Sequence, residues 1–582
     1  MYIDMAKRTG TAHVVTTTRK YKNRVYRTHL LRRSYREDGK VKNETLGNLS
    51  HLPDSLIDII RRSLQGETFV PLASAFEVLG SRSHGPVQAV TGAMQRLGFA
   101  ALIASKPSRE RDLVCAMVAA RIIAPQTKLA TTRWWHTTTL AEHFRVADAT
   151  EDELYAAMDW LLAGQGRIQK KLAARHLHED SLVLYDLSLS YFEGQTCPLA
   201  QRGYSRDGKK GKPQVNYGLL TDARGCPVAV SVYPGNTADP ETLMPEIERL
   251  RKDFGLAQLV MVGDRGMITH KAIEVLREQQ GIDWITALRS GAIRALMDQG
   301  QLQLGLFDER NLFEFTHPDY PGERLVACRN PQLAALRAHK REDLLMATEK
   351  NLEKVRTMVQ AGRLRGQDKI GLRVGKVINQ YKVAKHFTLE IQDSAFAFAR
   401  KLRNIDAEAA LDGIYIIRTS VPATRMDAAD CVRHYKSLAQ VERAFRILKS
   451  VDLRIRPIHH RLADRVRAHI FVCMLAYYVE WHLREAWREL LFADSDQAAK
   501  ATRDPVAPAR RSAAAERKAS TQTLEDGTAA HSFATLMDEL STIVRNTCRT
   551  PHAGPEAHTF EVITTANPKQ RRALELIKNI QV

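Results

Sequence analysis

The sequence predicts an α/β protein. A mixed sheet flanked by helices forms the main core, an insertion domain precedes one distinctive helix, and basic N-terminal and helical accessory regions are added. Three observations carry this. Between Ser181 and Leu288, five apolar runs of strand length alternate with turn signals and two helical patterns. The stretch His434–Ser450 has neither Gly nor Pro, is dense in good helix formers and reads as one helix. At 582 residues the chain is too long for one compact core, so several domains are expected.

Composition narrows the function classes. Hydrophobic residues at 44% and charged residues at 26% are ordinary for a globular protein, whereas a formal net charge of +20 is not. That balance favours a polyanionic partner, most simply nucleic acid, with an acidic lipid surface as the competing reading. Met1-Tyr-Ile-Asp-Met lacks the charged-then-apolar pattern of a signal peptide. The most apolar run, Ile470–Val479, is too short to span a bilayer and reads as a buried helix, so no membrane partner is expected. Seven scattered cysteines with no CxxC pair argue against a zinc module and suit free thiols in a cytoplasmic setting. Without a Walker loop or a GxGxxG, nucleotide hydrolysis and redox chemistry have no support.

The elements follow in order. Residues 1–80 are a basic region, from Lys7 and Arg8 through Arg19, Lys20, Arg32 and Arg33, interleaved with Tyr21, Tyr26 and Tyr35; this mixture suits contact with a phosphate backbone. Val25-Tyr26 and Leu30–Tyr35 read as strands, Glu37-Asp-Gly-Lys40 as a hairpin turn, and Pro53–Gln65 as a short helix. Residues 81–178 are helical in pattern, and Thr132-Arg-Trp-Trp-His136 reads either as a second DNA-facing module or as part of a helical segment with two core tryptophans. Residues 179–290 hold the first part of the core. Leu182–Leu187, Val215–Leu220 and Pro227–Tyr233 form a three-strand meander, and Asp239 caps a helix with the apolar face Leu243, Ile247 and Leu250. Leu259–Asp264 is a fourth strand, Thr269 caps a second helix closed by Gly281, and Trp284–Leu288 is a fifth strand. Meander, helix, strand, helix, strand is the order of an RNase H-like core short of its last helix.

Residues 291–411 read as an insertion domain with a long charged helix, Arg341–Gln360. Residues 412–493 return to the core with a strand at Asp412–Thr419 and the distinctive helix. Residues 494–530 read as a flexible linker and 531–582 as a helical tail.

The chemistry lies in carboxylates. Asp186 and Asp264 each close an apolar run, where a charge is costly without a cation beside it. On the distinctive helix, Leu438, Val441, Phe445 and Leu448 form an apolar face. Tyr435, Glu442 and Lys449, at i, i+7 and i+14, align in a second stripe roughly 80° round from it. A solvated stripe beside a core face is the ordinary explanation of such a pattern. Two strand-end aspartates with Glu442 able to pack over both make a third metal ligand the better one. Oxygen-only ligands suit Mg2+ or Mn2+, and two ions roughly 4 Å apart can activate a water or a 3′-hydroxyl and stabilise a leaving oxygen.

Tyr185-Asp186-Leu-Ser, Gly263-Asp264-Arg-Gly266 and Tyr435-x2-Leu438-x3-Glu442-x6-Lys449 together resemble the three motifs of DDE insertion-sequence transposases, most closely the subgroup with a Tyr-Arg-Glu-Lys signature. Pro234–Asp239 and Arg456-Pro-Ile-His459 resemble that subgroup's flanking sequence, so the likeness covers roughly residues 180 to 490. The resemblance implies a metal-binding triad of Asp186, Asp264 and Glu442 holding two Mg2+ ions. Tyr435 and Lys449 become contacts to the transposon-end DNA. Leu438 stands where the signature has arginine, and Arg443 and Arg446 on neighbouring faces are the cations placed to compensate. The implied activity is binding of terminal inverted repeats, metal-dependent strand cleavage and strand transfer into target DNA, by a homodimer in the synaptic complex. A nuclease or resolvase that cuts without joining, and an inactive DNA-binding element copy, are the alternatives.

Overall fold

A computed structural model describes residues 10–22, 24–67, 69, 76–205, 208–209, 211–300, 307–508, 510–550 and 559–581. The head of the chain with Lys7 and Arg8 lies outside the described residues. The chain divides into two compact units, Met1–Ser81 with Asn546–Ile563, and Arg82–Arg545 with Thr564–Val582.

In the first unit, β1 (Thr11–Tyr21), β2 (Arg24–Glu37) and β3 (Lys40–Asn48) form an antiparallel sheet in that order. Asp38 and Gly39 turn the β2–β3 hairpin with φ of 52° and 73°, the left-handed pair that a two-residue hairpin turn demands. The two short strands expected around Val25 and Leu30 are one strand of 14 residues, because β2 is the central strand and finds partners along its whole length. Helix Asp54–Leu64 follows, with Ile57 buried. β4 (Glu77–Ser83) belongs to a second sheet of order β16-β15-β4 with strands from the chain's end, Val544–Arg549 and Thr559–Ile563. The tail expected to be helical therefore contributes two strands besides its helices Phe533–Ser541 and Pro568–Leu576.

The second unit is built on an eight-stranded sheet. Its strands are β5 (Ser181–Tyr191), β6 (Gln214–Thr221), β7 (Pro227–Pro234), β8 (Leu259–Val262), β9 (Ile282–Ala287), β10 (Leu312–Phe315), β11 (Arg324–Arg329) and β14 (Ile414–Thr419). They lie in the order β10-β11-β14-β9-β8-β5-β6-β7. β5 pairs antiparallel with β6 and parallel with β8, and β8 pairs parallel with β9. An antiparallel meander joined at its first strand to two parallel strands is the RNase H-like arrangement. Helices Asp239–Lys252 and His270–Arg277 make the crossovers. Thr269 caps the second as its sequence demands, whereas the cap of the first is Ala238, with the Glu241 carboxylate accepting the Ala238 N–H at 3.3 Å.

Two boundaries move. The predicted insertion opens with β10 and β11, which extend the main sheet through β14. Arg418 of β14 donates to buried Glu323 just before β11, at 2.5 Å, and fastens that extension. The separately packed part is the segment with helices Pro331–Gln360 and Gln367–Ile378 and the hairpin of β12 (Phe387–Ile391) and β13 (Phe396–Arg400), around Leu345, Leu352, Ile370 and Phe387. The expected flexible linker 494–530 holds helices Gln497–Thr502 and Ala513–Thr521 and buries Val506 and Leu524. Its composition misleads because alanine is also the best helix former, here capped by Ser512, while distant groups anchor the segment. Asn330 Nδ2 donates to the Val506 carbonyl at 2.7 Å, and Lys518 Nζ donates to the Arg488, Leu491 and Ala493 carbonyls at 3.3 Å.

Helix Ala463–Ala486 is buried almost throughout, from Val466 to Leu483, as its apolar sequence requires. It packs against the helices Arg109–Ile123 and Glu151–Ala163 and against β7. Trp135 is fully buried and Trp134 packs against the same core. No single helix among the described residues is long and apolar enough to cross a membrane.

Candidate active site

The distinctive helix is two helices. Ala428–Lys436, capped by the Asp427 carboxylate accepting the Asp430 N–H at 2.6 Å, meets Leu438–Arg446 at Ser437. Ser437 Oγ donates to the Arg433 carbonyl at 3.1 Å, a side-chain bond that competes with the helix ladder, and Gln440 N–H reaches back only three residues to the Ser437 carbonyl. A π turn, Ile447–Val451, ends the second helix and carries half-buried Lys449. The single straight stripe through Tyr435, Glu442 and Lys449 is thus bent at both sides of Glu442.

The apolar face seats the helix as predicted. Val441, Ala444, Phe445 and Leu448 are buried, the helix packs on β5, and Phe445 meets the Tyr217 ring of β6 edge-on at 5.8 Å. Burying the Val441, Phe445 and Leu448 side chains stabilises by about 1.5–3 kcal/mol each. Leu438 is half-buried against the same core, at the position where the signature has arginine. Arg443 and Arg446 are exposed.

Asp186 does not end its strand; β5 continues to Tyr191 because β6 stays paired with it from Leu184 to Tyr191. The parallel partner β8 stops at Val262, opposite Leu184. Asp186 therefore sits where the two neighbours of β5 part, a position at the carboxyl end of β8. Extending the Ser181↔Leu259 register by the same step sets Asp186 level with Asp264, which lies in the turn just past β8. That turn is shaped by Asp264 itself: Oδ1 accepts the N–H groups of Gly266 at 3.0 Å and Met267 at 2.7 Å. Asp186 Oδ1 accepts the Leu187 N–H at 2.8 Å. Both aspartates are half-buried and Glu442 is exposed.

Tyr435 lies close enough to all three acids to feel their charges. Burial pushes its phenol up, and the charges of Asp264, Glu442 and Asp186 push it further, against the opposing Arg265. Among the described residues neither Asp264 nor Glu442 has a cationic side chain within ion-pair distance. A groove of about 760 Å³, lined by Val230, Glu246, Arg249 and Asp464, shares no residue with this site.

A basic cluster went unseen in the sequence. The Tyr191 ring at the end of β5 has Lys209 Nζ at 3.8 Å, Arg456 at 5.2 Å and Lys212 at 5.4 Å from its centroid. Lys209-Lys-Gly-Lys212 was its only local signal.

Residues 178–479, more than half of the chain, match the family described as Transposase DDE domain. The chain belongs to the DDE transposase family. Residues 14–69 also match the IS1634 family transposase N-terminal domain, which places this transposase among those of insertion sequences. The transposase acts on DNA and depends on a divalent metal ion, as membership entails. Among solved structures, a cryo-EM structure of the piggyBac transposase synaptic complex with hairpin DNA is similar over 78% of this chain and 77% of that one. With 9% identity and a TM-score of 0.31, that likeness locates no residue. Curated proteins give no match.

Proposed function

We propose that this transposase is of the subgroup with the Tyr-Arg-Glu-Lys signature and that Asp186, Asp264 and Glu442 are its catalytic carboxylates. It binds the terminal inverted repeats of its own insertion sequence, cuts there, and joins the freed 3′ ends to target DNA. Both steps are in-line attacks on phosphodiesters without a covalent protein intermediate. The observation that carries this reading is that the β5–β8 register sets Asp186 level with Asp264 in the turn past β8, and that both lie with Glu442 near Tyr435.

The donor set fits hard cations. All three side chains offer only oxygen, and two of the three have no cationic partner among the described residues. These residues would hold two Mg2+ ions, with Mn2+ as a substitute. When bound, such ions make an attacking oxygen more nucleophilic and stabilise a leaving one. The protein's own groups position the DNA. Tyr435 and Lys449 contact the transposon end, and Arg443 and Arg446 supply the cations that Leu438 does not. The Tyr191 cluster with Lys209, Lys212 and Arg456 holds backbone phosphates at the far end of β5, and the basic residues 1–80 add further backbone contacts. Two ends are brought together by a homodimer, working in the cytoplasm on the nucleoid.

The test uses purified protein and a DNA fragment carrying the two element ends. Glu442→Gln is expected to bind the ends within about threefold of wild type while cleavage falls by about a thousandfold or more, a loss of about 4 kcal/mol at the transition state. Cleavage at the wild-type rate by that variant removes Glu442 from the site. Nicked ends that never join to target would favour the nuclease reading.

A further inference from the structure

Inside the second unit, away from the carboxylates, three soft ligands converge. His176 ends the Gln165–His176 helix, Cys226 directly precedes β7, and His482 lies on the Ala463–Ala486 helix. Cys226 Sγ stands 4.0 Å from His176 Nε2 and 3.9 Å from His482 Nε2, and the three ligand atoms all lie within 4.8 Å of one another. Among the described residues no other trio of His, Cys, Asp or Glu draws so close. Cys226 is fully buried, His482 is 5% exposed and His176 is half-buried.

The spacing is near that of a metal site. Zinc bonds of about 2.0 Å to nitrogen and about 2.3 Å to sulfur, in a tetrahedron, set neighbouring ligands about 3.5 Å apart. A closure of about half an ångström at each ligand reaches that value. The supporting residues hold the ligands in place. Asp222 Oδ1 accepts the N–H groups of Cys226 and Arg224, each at 2.9 Å, and Gly225 at φ +86° completes the turn that presents the thiol. The Tyr478 hydroxyl lies 3.1 Å from His176 Nε2, and the rings of Tyr478 and Trp481 pack edge-on against His482.

We propose that His176, Cys226 and His482 bind one thiophilic divalent cation, Zn2+, with water or the Tyr478 phenol as fourth ligand. Binding breaks the Cys226 S–H bond, forms an S–Zn bond and releases one proton to solvent; nothing is oxidised or reduced. The ion is a structural clamp that ties the helix before β5, the turn entering β7 and the Ala463–Ala486 helix to one another. Its ligands are nitrogen and sulfur, so it is filled independently of the hard-cation site. A scan for CxxC cannot find it, because Cys226 is 50 residues from His176 and 256 from His482.

Chelator-stripped full-length protein is titrated with Co2+ as a spectroscopic probe. One equivalent is expected to give a thiolate-to-cobalt charge-transfer band with intense tetrahedral ligand-field bands, displaced by Zn2+. The band should vanish in Cys226→Ser and persist in the Asp186→Asn/Glu442→Gln double variant, because the oxygen site offers no thiolate. Zn2+ should raise the Tm of wild type by several degrees and leave that of Cys226→Ser unchanged. Absence of the band in wild type at excess cobalt overturns the site, as does an undiminished band in Cys226→Ser. If Cys226→Ser does not fold, His482→Gln decides: cobalt affinity about tenfold weaker or more supports the site, and unchanged affinity overturns it.

Discussion

Burial raises the Glu480 carboxyl to about 7, against Arg484, whose guanidinium holds it at 2.6 Å. Asp452, on the same guanidinium at 2.5 Å, is also pushed up by burial. Asp452 directly follows the π turn that carries Lys449, so the protonation of the pair bears on the seat of the helix that carries Glu442. A carboxyl raised in the fold favours the protonated native state. Its contribution to stability is complete below the ordinary value of 4.5 and is lost as pH rises through about 7. Glu480→Gln should therefore flatten the fall in stability across that window, by about 3 kcal/mol, as read by urea denaturation at its two ends. An unchanged slope removes Glu480 as its source. At this scale the sequence singles out residues whose signal is local. Asp186 and Asp264 stood out because a charge inside or beside an apolar run is costly, and Glu442 because it rides an amphipathic helix. Glu480 gave no such sign: it looks like any helical glutamate, and only the packing of the Ala463–Ala486 helix buries it completely.

The element that positions Glu442 is less regular than its residue pattern. Composition and apolar spacing over His434–Ser450 fit a continuous helix, but propensity cannot register a serine hydroxyl bonding back to the Arg433 carbonyl. Nor could it foresee what braces the helix from outside. A Cβ on Gly225, already at φ +86°, would stand 2.7 Å from Gln440 Cβ, two residues before Glu442. Gly225→Ala is thus strained twice, by conformation and by contact. It should cost about 1–3 kcal/mol in denaturant unfolding and lower cleavage more than DNA binding, since Gln440 must give way. Wild-type stability in that variant would show that the turn does not brace the helix. The meander and crossovers were legible because each strand is one apolar run bounded by turn residues. The sheet extension through β10 and β11 was not, because its partner β14 comes about 90 residues later and is fastened by the buried Glu323–Arg418 pair.

Over the whole molecule, charge and chain order set the account. The formal net charge of +20, to which exposed Arg443 and Arg446 and the cations around Tyr191 contribute, suits a polyanionic polymer better than a small ligand. Replacing Lys209, Lys212 and Arg456 together with alanine should make the slope of log affinity against log salt shallower by about 2 to 3, near 0.9 for each phosphate no longer neutralised. An unchanged slope places the DNA elsewhere. Residues 494–530 show the limit of compositional reading: an Ala, Arg, Ser and Thr mixture describes a linker and a packed helix equally well until Asn330 and Lys518 are seen to hold it. The central claim is that Asp186, Asp264 and Glu442 are ligands to catalytic metal. Metal-specific rescue tests it most directly, with Asp186→Cys, Asp264→Cys and Glu442→Cys assayed for end cleavage in Mg2+ and in Mn2+. Thiolate tolerates the softer ion better, so each variant should be inactive in Mg2+ and at least one aspartate variant should regain cleavage in Mn2+. Undiminished cleavage in Mg2+, or a loss that Mn2+ relieves at none of the three positions, would contradict it.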